Sequence, residues 1–384
     1  MTTHSDTHSP FQVVIAGGGV AGLEAALALR HLAPDMVAVT MIAPNEEFVV
    51  RPMTVREPFA YSAAARYPLA DIAQDIGIEL RRDRFSWLEP ARRTVHTDGG
   101  LQLTYDALLL ALGARRSERL PHALTLDDSR LDEQLHGLIQ DLEAGYVHSL
   151  AFIVPSGRVW PLPIYELALM SAARAYDMDI DVAITLATPE KAPLEVFGTE
   201  VSTEVGRRLQ ASGIKMITSA HCEVRQNGHL SVGPARRELI VDRMIALPEL
   251  YGPSGSGVPR STHAGFISVD PYCRVKGLDG VYAAGDGTDF PVKHGGIAAQ
   301  QADTAAESIA ALAGAPITPA RFDPVINGML LTGGRPLYLS ARLVGGRGFT
   351  SEFSETPLWS PPTKISAKYL AGYLEARERA PSHS

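Results

Sequence analysis

Three glycines near the start of the chain, Gly17, Gly19 and Gly22, are spaced G-x-G-x-x-G, with Gly18, Val20 and Ala21 between them. A turn of this kind suits an anionic dinucleotide. One glycine makes the tight turn, one lets the backbone approach a pyrophosphate, and one lets helix and strand pack closely. The pattern alone is weak, and its context strengthens it. The apolar run Phe11–Ala16 before it reads as a buried parallel strand, and residues 23–32 after it have helical density. The helix N-terminus then offers free N–H groups and partial positive charge to phosphates. Residues 36–43 add a second β-rich run. The acid that usually ends this second strand and holds the adenosine ribose is missing. The chain reads Ile42-Ala43-Pro44-Asn45-Glu46 there, so Asn45 or Glu46 is left to substitute from the loop.

The elements around this turn form an alternating pattern. Another buried strand, within Tyr105–Gly113, ends at Ala111-Leu112-Gly113, and a second strand–helix–strand unit starts near Ser149. Its strand spans residues 150–154, its helix 163–176 and its next strand 182–188, followed by a helix over Thr199–Ala211 and a strand at 214–218. Residues 251–260 are rich in Gly, Pro and Ser and read as a linker. Val281-Tyr282-Ala283-Ala284 then runs into the turn Gly285-Asp286, and an Ala-rich helix covers 297–312. The pattern predicts an α/β chain of two Rossmann-like, doubly wound domains. The first is discontinuous, residues 1–115 and 251–320. The second covers 116–250, and 321–384 form a small C-terminal cap with a last helix near 363–376.

Bulk properties narrow the function classes. The chain has 384 residues, 45% hydrophobic and 20% charged, enough apolar mass for more than one core. A net charge of −8 argues against a nucleic-acid surface, which needs a basic face. Two cysteines, Cys222 and Cys273, exclude a disulfide framework and argue against a thiol–metal site, so no metal ligands are assigned. Residues 1–10 are polar without a signal-like apolar stretch, and no apolar run is long enough to span a bilayer. The expected location is the cytoplasm.

The segments at Tyr105–Gly113 and Val281–Gly296 resemble the flavin motifs of the pyridine-nucleotide–disulfide oxidoreductase superfamily, with a glutathione-reductase-type fold. The resemblance implies FAD as cofactor, held by Gly17, Gly19, Val20, Ala21 and Gly22, by Ala111 and Gly113, and by Gly285 and Asp286. In that family the aspartate binds the ribityl chain, and the helix starting near Gly295-Gly296-Ile297 points its N-terminus at the flavin pyrimidine ring. Its dipole, with Lys293 nearby, favours the negative charge that builds on reduced flavin. Phe48–Met53 resembles the segment that passes the isoalloxazine, where Arg51 contacts phosphate or ribose or forms a surface ion pair. Within the superfamily the chain is similar to sulfide:quinone oxidoreductases, through Trp160–Met170, Ala187-Thr188-Pro189-Glu190, Leu194–Gly198 and Lys293-His294-Gly295-Gly296.

Departures from that group matter as much. Sulfide oxidation there runs through two cysteines beside the flavin. Alignment puts Trp160 at one of those positions, and no cysteine follows Cys273. Pro155–Pro161 holds a single glycine, Gly157, with proline and tryptophan bulk in the space a second pyrophosphate needs, so standard NAD(P)H binding is disfavoured. Candidate reaction-centre residues are Lys293, His294, Trp160 and Glu166. His294 donates protons or caps a helix, and Glu166 relays protons or is a satisfied interdomain carboxylate. Trp160 stacks on the flavin or belongs to the interdomain core. Ile365, Tyr369, Leu370, Tyr373 and Leu374 form one short apolar face, better suited to docking on the protein itself than to a membrane.

The expectation is a flavin-dependent enzyme that passes electrons from a small-molecule donor to a quinone or another acceptor. A flavin electron-transfer protein serving a partner protein, an NAD(P)H-dependent reductase and an inactive FAD-binding scaffold stay open beside it. A homodimer stays open as well.

Overall fold

The computed structural model describes residues 10–379 apart from 60, 128–129, 226–228, 234–236, 262–263 and 345–346. Most of the polar N-terminal segment lies outside the described residues. The chain begins with strand β1 (Phe11–Ala16), helix α1 (Val20–Leu32), strand β2 (Val37–Ile42), helix α2 (Leu69–Ile76), strand β3 (Glu79–Arg81) and, after a small antiparallel sheet, strand β4 (Ala107–Leu110). It leaves this unit through a short strand, Arg115–Ser117. The second unit runs β5 (Leu124–Thr125), α3 (Leu131–Glu143), β6 (Ser149–Ile153), α4 (Leu162–Asp177), β7 (Ala183–Ala187), α5 (Thr199–Ala211), β8 (Lys215–Ile217) and β9 (Arg243–Ala246). The return strand Glu249–Tyr251 pairs antiparallel with Arg115–Ser117, so two crossings form one ribbon between the units. β10 (Val281–Ala283) and α6 (Gly295–Leu312) then complete the first unit.

Each unit is built on a five-stranded parallel sheet. The first has the order β10-β4-β1-β2-β3 and the second β5-β9-β6-β7-β8. Helices cover one face of each sheet and a small antiparallel sheet covers the other, which is why the central strands read as unbroken apolar runs. In β4 all four residues are buried. α1 and α6 pack together over the first sheet through small residues, Ala25, Ala28, Ala302 and Ala305, each fully buried. Alanine at these positions lets the two helix backbones come close.

The C-terminal segment holds strands as well as the last helix expected of the small cap. It contains an antiparallel sheet of β11 (Val325–Leu330), β12 (Leu337–Val344) and β13 (Arg347–Ser354). In β12, Leu337, Leu339, Ala341 and Leu343 face the core at period two. The last helix, α7 (Leu370–Arg379), starts later than residue 363, because the segment before it is spent on contacts with both units. Its apolar face docks as expected: Ile365, Leu370 and Leu374 are buried in the core of the first unit, and Tyr369 and Tyr373 pack against it.

Candidate functional site

The first turn is shaped around empty space. At Gly17 a Cβ would collide with the carbonyl of Ala111, and at Gly22 with the carbonyl of Gly17 itself, so both positions admit only glycine. Gly19 is the opposite case. Nothing lies within 4 Å of a Cβ built there. Gly19 is also the N-cap of α1 and supplies no side-chain capping bond, which leaves the first N–H groups of the helix for a ligand. A tight backbone below and a void with free N–H groups above are what a pyrophosphate needs.

The second part of the cleft is the Gly285 turn at the end of β10. Gly285 has φ +85°, and its N–H donates to Oε1 of Gln301 at 2.8 Å, while the Thr288 hydroxyl donates back to the carbonyl of Gly285 at 2.9 Å. Gln301 and Thr288 thus fix the turn from beneath, and Asp286 lines the cleft. Gln301 carries no sequence signal, because it sits in an alanine-rich helix as an ordinary polar residue.

One cavity of about 460 Å³ joins these turns to the space between the units. Gly17, Gly19, Val20 and Ala21, then Asn45, Arg51, Ala111, Gly113, Gly285, Asp286, Lys293 and His294 all line it, with Trp160 and Glu166 from the second unit. Gly22, Gly296 and Ile297 do not reach the lining. Gly22 packs helix against strand, and Gly296 and Ile297 form the first turn of α6, where Gly296 N–H is already taken. Of the two ribose candidates, Asn45 lines the cleft, whereas Glu46 is turned to the surface and pairs with Arg82.

At the inner end of the cavity the charged groups are buried. His294 is the N-cap of α6, its Nδ1 accepting from Gly296 N–H at 3.2 Å. That bond assigns the remaining ring proton to Nε2. Burial, aided by the Lys364 charge, pushes the His294 pKa down to about 4, so the ring is neutral. Trp160 packs tilted on His294 at 4.8 Å and on Phe197 at 6.0 Å. Lys293 is engaged elsewhere: its Nζ donates to the Thr288 carbonyl and lies 3.9 Å from the centre of the Phe266 ring. Burial lowers its pKa to about 8, with the Asp286 charge opposing.

Glu166 meets a residue that the sequence does not flag. Both its oxygens accept from Lys364 Nζ, at 2.5 and 2.6 Å, and Oε1 also accepts from Leu331 N–H at 2.9 Å. Glu166 and Lys364 are buried and both line the cavity. Burial raises the pKa of Glu166, against the pull of Lys364. It lowers that of Lys364, against the pull of Glu166. The two forms of the pair, ionised and neutral, are thereby brought closer in energy than in water. Lys364 is a lone lysine in the run Ser360-Pro361-Pro362-Thr363-Lys364, far from Glu166 in sequence, and only the tertiary fold joins them.

Neither cysteine lines the cavity. Cys222 lies on a strand of the second unit, its thiol pushed up to about 12 by burial, and buried Cys273 is raised as well, by burial and then by Asp270.

Residues 11–143 and 166–308 match the profile of the pyridine nucleotide-disulphide oxidoreductase family. The chain belongs to this family. It is an oxidoreductase on a flavoprotein fold. One curated relative is the alternative NAD(P)H-ubiquinone oxidoreductase C1, chloroplastic/mitochondrial, of Arabidopsis thaliana, 28% identical over 84% of this chain and 71% of the relative. Another is the sulfide-quinone reductase of Aquifex aeolicus, 28% identical over 41% of this chain and 38% of the relative. Among solved structures, the sulfide:quinone oxidoreductase of Aquifex aeolicus superposes with a TM-score of 0.79 at 18% identity, covering 96% of this chain and 89% of that one. An NAD-dependent persulfide reductase from A. fulgidus superposes at 0.64 with 19% identity, covering 87% and 64%. These likenesses establish the two-unit fold of the oxidoreductase. Among its described residues no helix is long and apolar enough to cross a membrane.

Proposed function

We propose that this oxidoreductase binds FAD along the cleft and passes electrons from a small-molecule donor to a quinone, without thiol chemistry. The observation that carries this reading is the buried Glu166–Lys364 pair on the cavity wall, beside His294 and Trp160. The quinone acceptor is also supported by the names of the two curated relatives.

The residues present fit FAD. Gly19 and the first turn of α1 offer N–H groups to the pyrophosphate, and Asn45 replaces the usual acid at the adenosine ribose. Asp286 lines the cavity and would meet the ribityl hydroxyls, with Gly285 held in its turn by Gln301. When bound, the flavin takes up an electron pair and releases it to an acceptor. The protein handles protons and shape. Reducing a quinone to a quinol adds two electrons and two protons. A hydride equivalent from the reduced cofactor would carry both electrons and one proton, so a buried acceptor site needs one further proton from a donor in reach. Lys364 Nζ carries a proton in an apolar setting, and Glu166 holds it in place and takes part of its charge. His294 is neutral and its Nε2–H serves as a hydrogen-bond donor to an acceptor oxygen rather than as an acid. Trp160, Val55, Leu162, Leu167 and Met329 give the cavity an apolar wall suited to a flat ring. Lys293 acts by fixing the α6 turn through Thr288 and Phe266. We assign the folding units as residues 1–115 with 251–320, residues 116–250, and the C-terminal 321–384.

Photoreduction of the FAD-loaded protein followed by anaerobic mixing with a water-soluble quinone tests the reading. The expected result is rapid, saturable reoxidation. A protein that takes up no FAD, or whose reduced flavin ignores quinones, would falsify it.

A further inference from the structure

The second unit has the topology of a dinucleotide-binding domain, and its turn between β6 and α4, residues 154–161, stands where a second pyrophosphate would bind. In the first unit the equivalent turn faces empty space. Here the space is filled by the protein. Gly157, at φ +120°, has the Glu249 carboxylate directly over its α-carbon, and a Cβ there would collide with Oε1 of Glu249. Glu249 is held in that position by the Tyr251 hydroxyl, which donates to its Oε2 at 2.9 Å, with Arg119 3.9 Å away. The turn itself is tied down on three sides. The Arg158 carbonyl accepts from Leu250 N–H at 2.9 Å, the Arg158 guanidinium donates to the Asp289 carbonyl at 3.2 Å, and the Ser156 hydroxyl lies 3.1 Å from His221 Nδ1. At the far end of the groove, after β7, Glu190 is the nearest acid to the position that would meet a ribose. It is turned inward instead, accepting from the Tyr165 hydroxyl at 2.7 Å and from Thr188 Oγ1 at 2.8 Å.

We infer that Glu249 is a specificity-determining residue: it occupies the pyrophosphate position of the second unit and rejects nicotinamide dinucleotides as electron donors. The physical basis is occupancy and charge together. A pyrophosphate brings two negative charges to the point where a carboxylate already lies against the glycine, and like charges at contact distance repel strongly away from bulk water. Glu249 sits on the return strand of the ribbon joining the units, so the plug comes with the fold and needs no ligand or moving loop to close it. The electron donor is then a molecule that reaches the flavin cavity directly. The inference does not depend on the nature of the acceptor.

Equilibrium binding of NADH and NADPH to the FAD-loaded protein, followed by nucleotide fluorescence and by calorimetry, reads the plug without reference to turnover. The intact protein is expected to show no saturable binding below about 1 mM. Glu249→Ala removes charge and bulk together and is expected to bind NADH at or below about 0.1 mM, a gain of tenfold or more, with FAD content and quinone reoxidation unchanged. Glu249→Gln keeps the bulk and drops the charge, and is expected to fall between the two. Micromolar NADH binding by the intact protein overturns the inference. So does a Glu249→Ala protein that retains FAD and binds NADH no better than its parent.

Discussion

The two parallel-sheet units invite comparison at the helices that follow β1 and β6. In each, the fifth residue is a buried glutamate, Glu24 on α1 and Glu166 on α4, and in each that carboxylate grips the C-terminal segment. Glu24 accepts from Tyr369 N–H at 2.9 Å and Leu370 N–H at 2.6 Å, capping α7. Glu166 accepts from Leu331 N–H and from Lys364. The partners differ in kind. Glu24 meets backbone amides and, across the α1–α6 contact, a second acid, Asp303, whereas Glu166 meets a full positive charge. The first grip is therefore purely architectural. On the function proposed above, the second leaves a movable proton on the cavity wall. The same topology yields an anchor in one unit and a candidate proton donor in the other, and the turns just upstream differ in the same sense, one open for phosphates and one closed.

Removing one member of the charged pair should break the comparison most severely. Lys364→Met leaves Glu166 buried without its counter-charge, and the expected loss is about 3–5 kcal/mol of stability, read by denaturant unfolding. Quinone reoxidation of the photoreduced flavin should slow as well. The double variant Glu166→Gln, Lys364→Met should recover much of the stability and none of the rate. Recovery of both would show that the pair is only a fastener, like Glu24.

A smaller effect is expected at the open turn. Gly19→Ala places its methyl in space that the protein leaves empty, so the thermal stability of the FAD-free form should not change. FAD affinity should drop by about tenfold or more, near 1.4 kcal/mol, because the methyl stands where the phosphates approach. Equal FAD affinity in the two proteins would argue that the void at Gly19 is not the pyrophosphate site.

A third effect, read by pH, concerns the acid beside Glu24. Burial and then the Glu24 charge raise the pKa of Asp303 from 3.8 to about 8. A folded-state pKa above the unfolded one means that the native protein holds a proton which the unfolded chain has released. Stability from this group is thus complete below pH 3.8 and is lost as the pH rises toward and through about 8. Asp303→Asn should flatten that decline in melting temperature. An unchanged slope in the variant would show that Asp303 is not the group responsible.

Much of the first unit was legible in the sequence because its signals are local. The glycines of the first turn, the apolar β1 and the Gly285-Asp286 turn all lie within short windows whose residue types carry the geometry. The nicotinamide groove was half legible. The crowding around Gly157 shows in Pro155, Trp160 and Pro161, but Glu249 reaches that glycine from a strand about ninety residues away, with no pattern to announce it. Lys364 is illegible for the same reason. The family resemblance implied that Lys293, before α6, favours the charge on reduced flavin, and Lys293 does line the cavity. In the folded chain the Thr288 carbonyl and the Phe266 ring claim its ammonium, because the buried cation needs partners that only the tertiary structure supplies. β12 shows period two plainly in Leu337, Leu339, Ala341 and Leu343. Its partner β11 precedes it across the Gly- and Pro-containing segment 331–336, which hides the pairing in the sequence.

Lys364 and Ile365 are adjacent in the chain, yet the first is locked to the acid of the second unit and the second is buried in the core of the first. The C-terminal segment therefore behaves as a bivalent ligand made of the protein's own chain. Each attachment raises the effective concentration of the other, so neither unit releases the tail easily while its neighbour holds it. A nick between β13 and Lys364 would leave this covalently continuous clamp as an ordinary bound peptide, with the separation of the two units and solvent access to the cavity set by mass action.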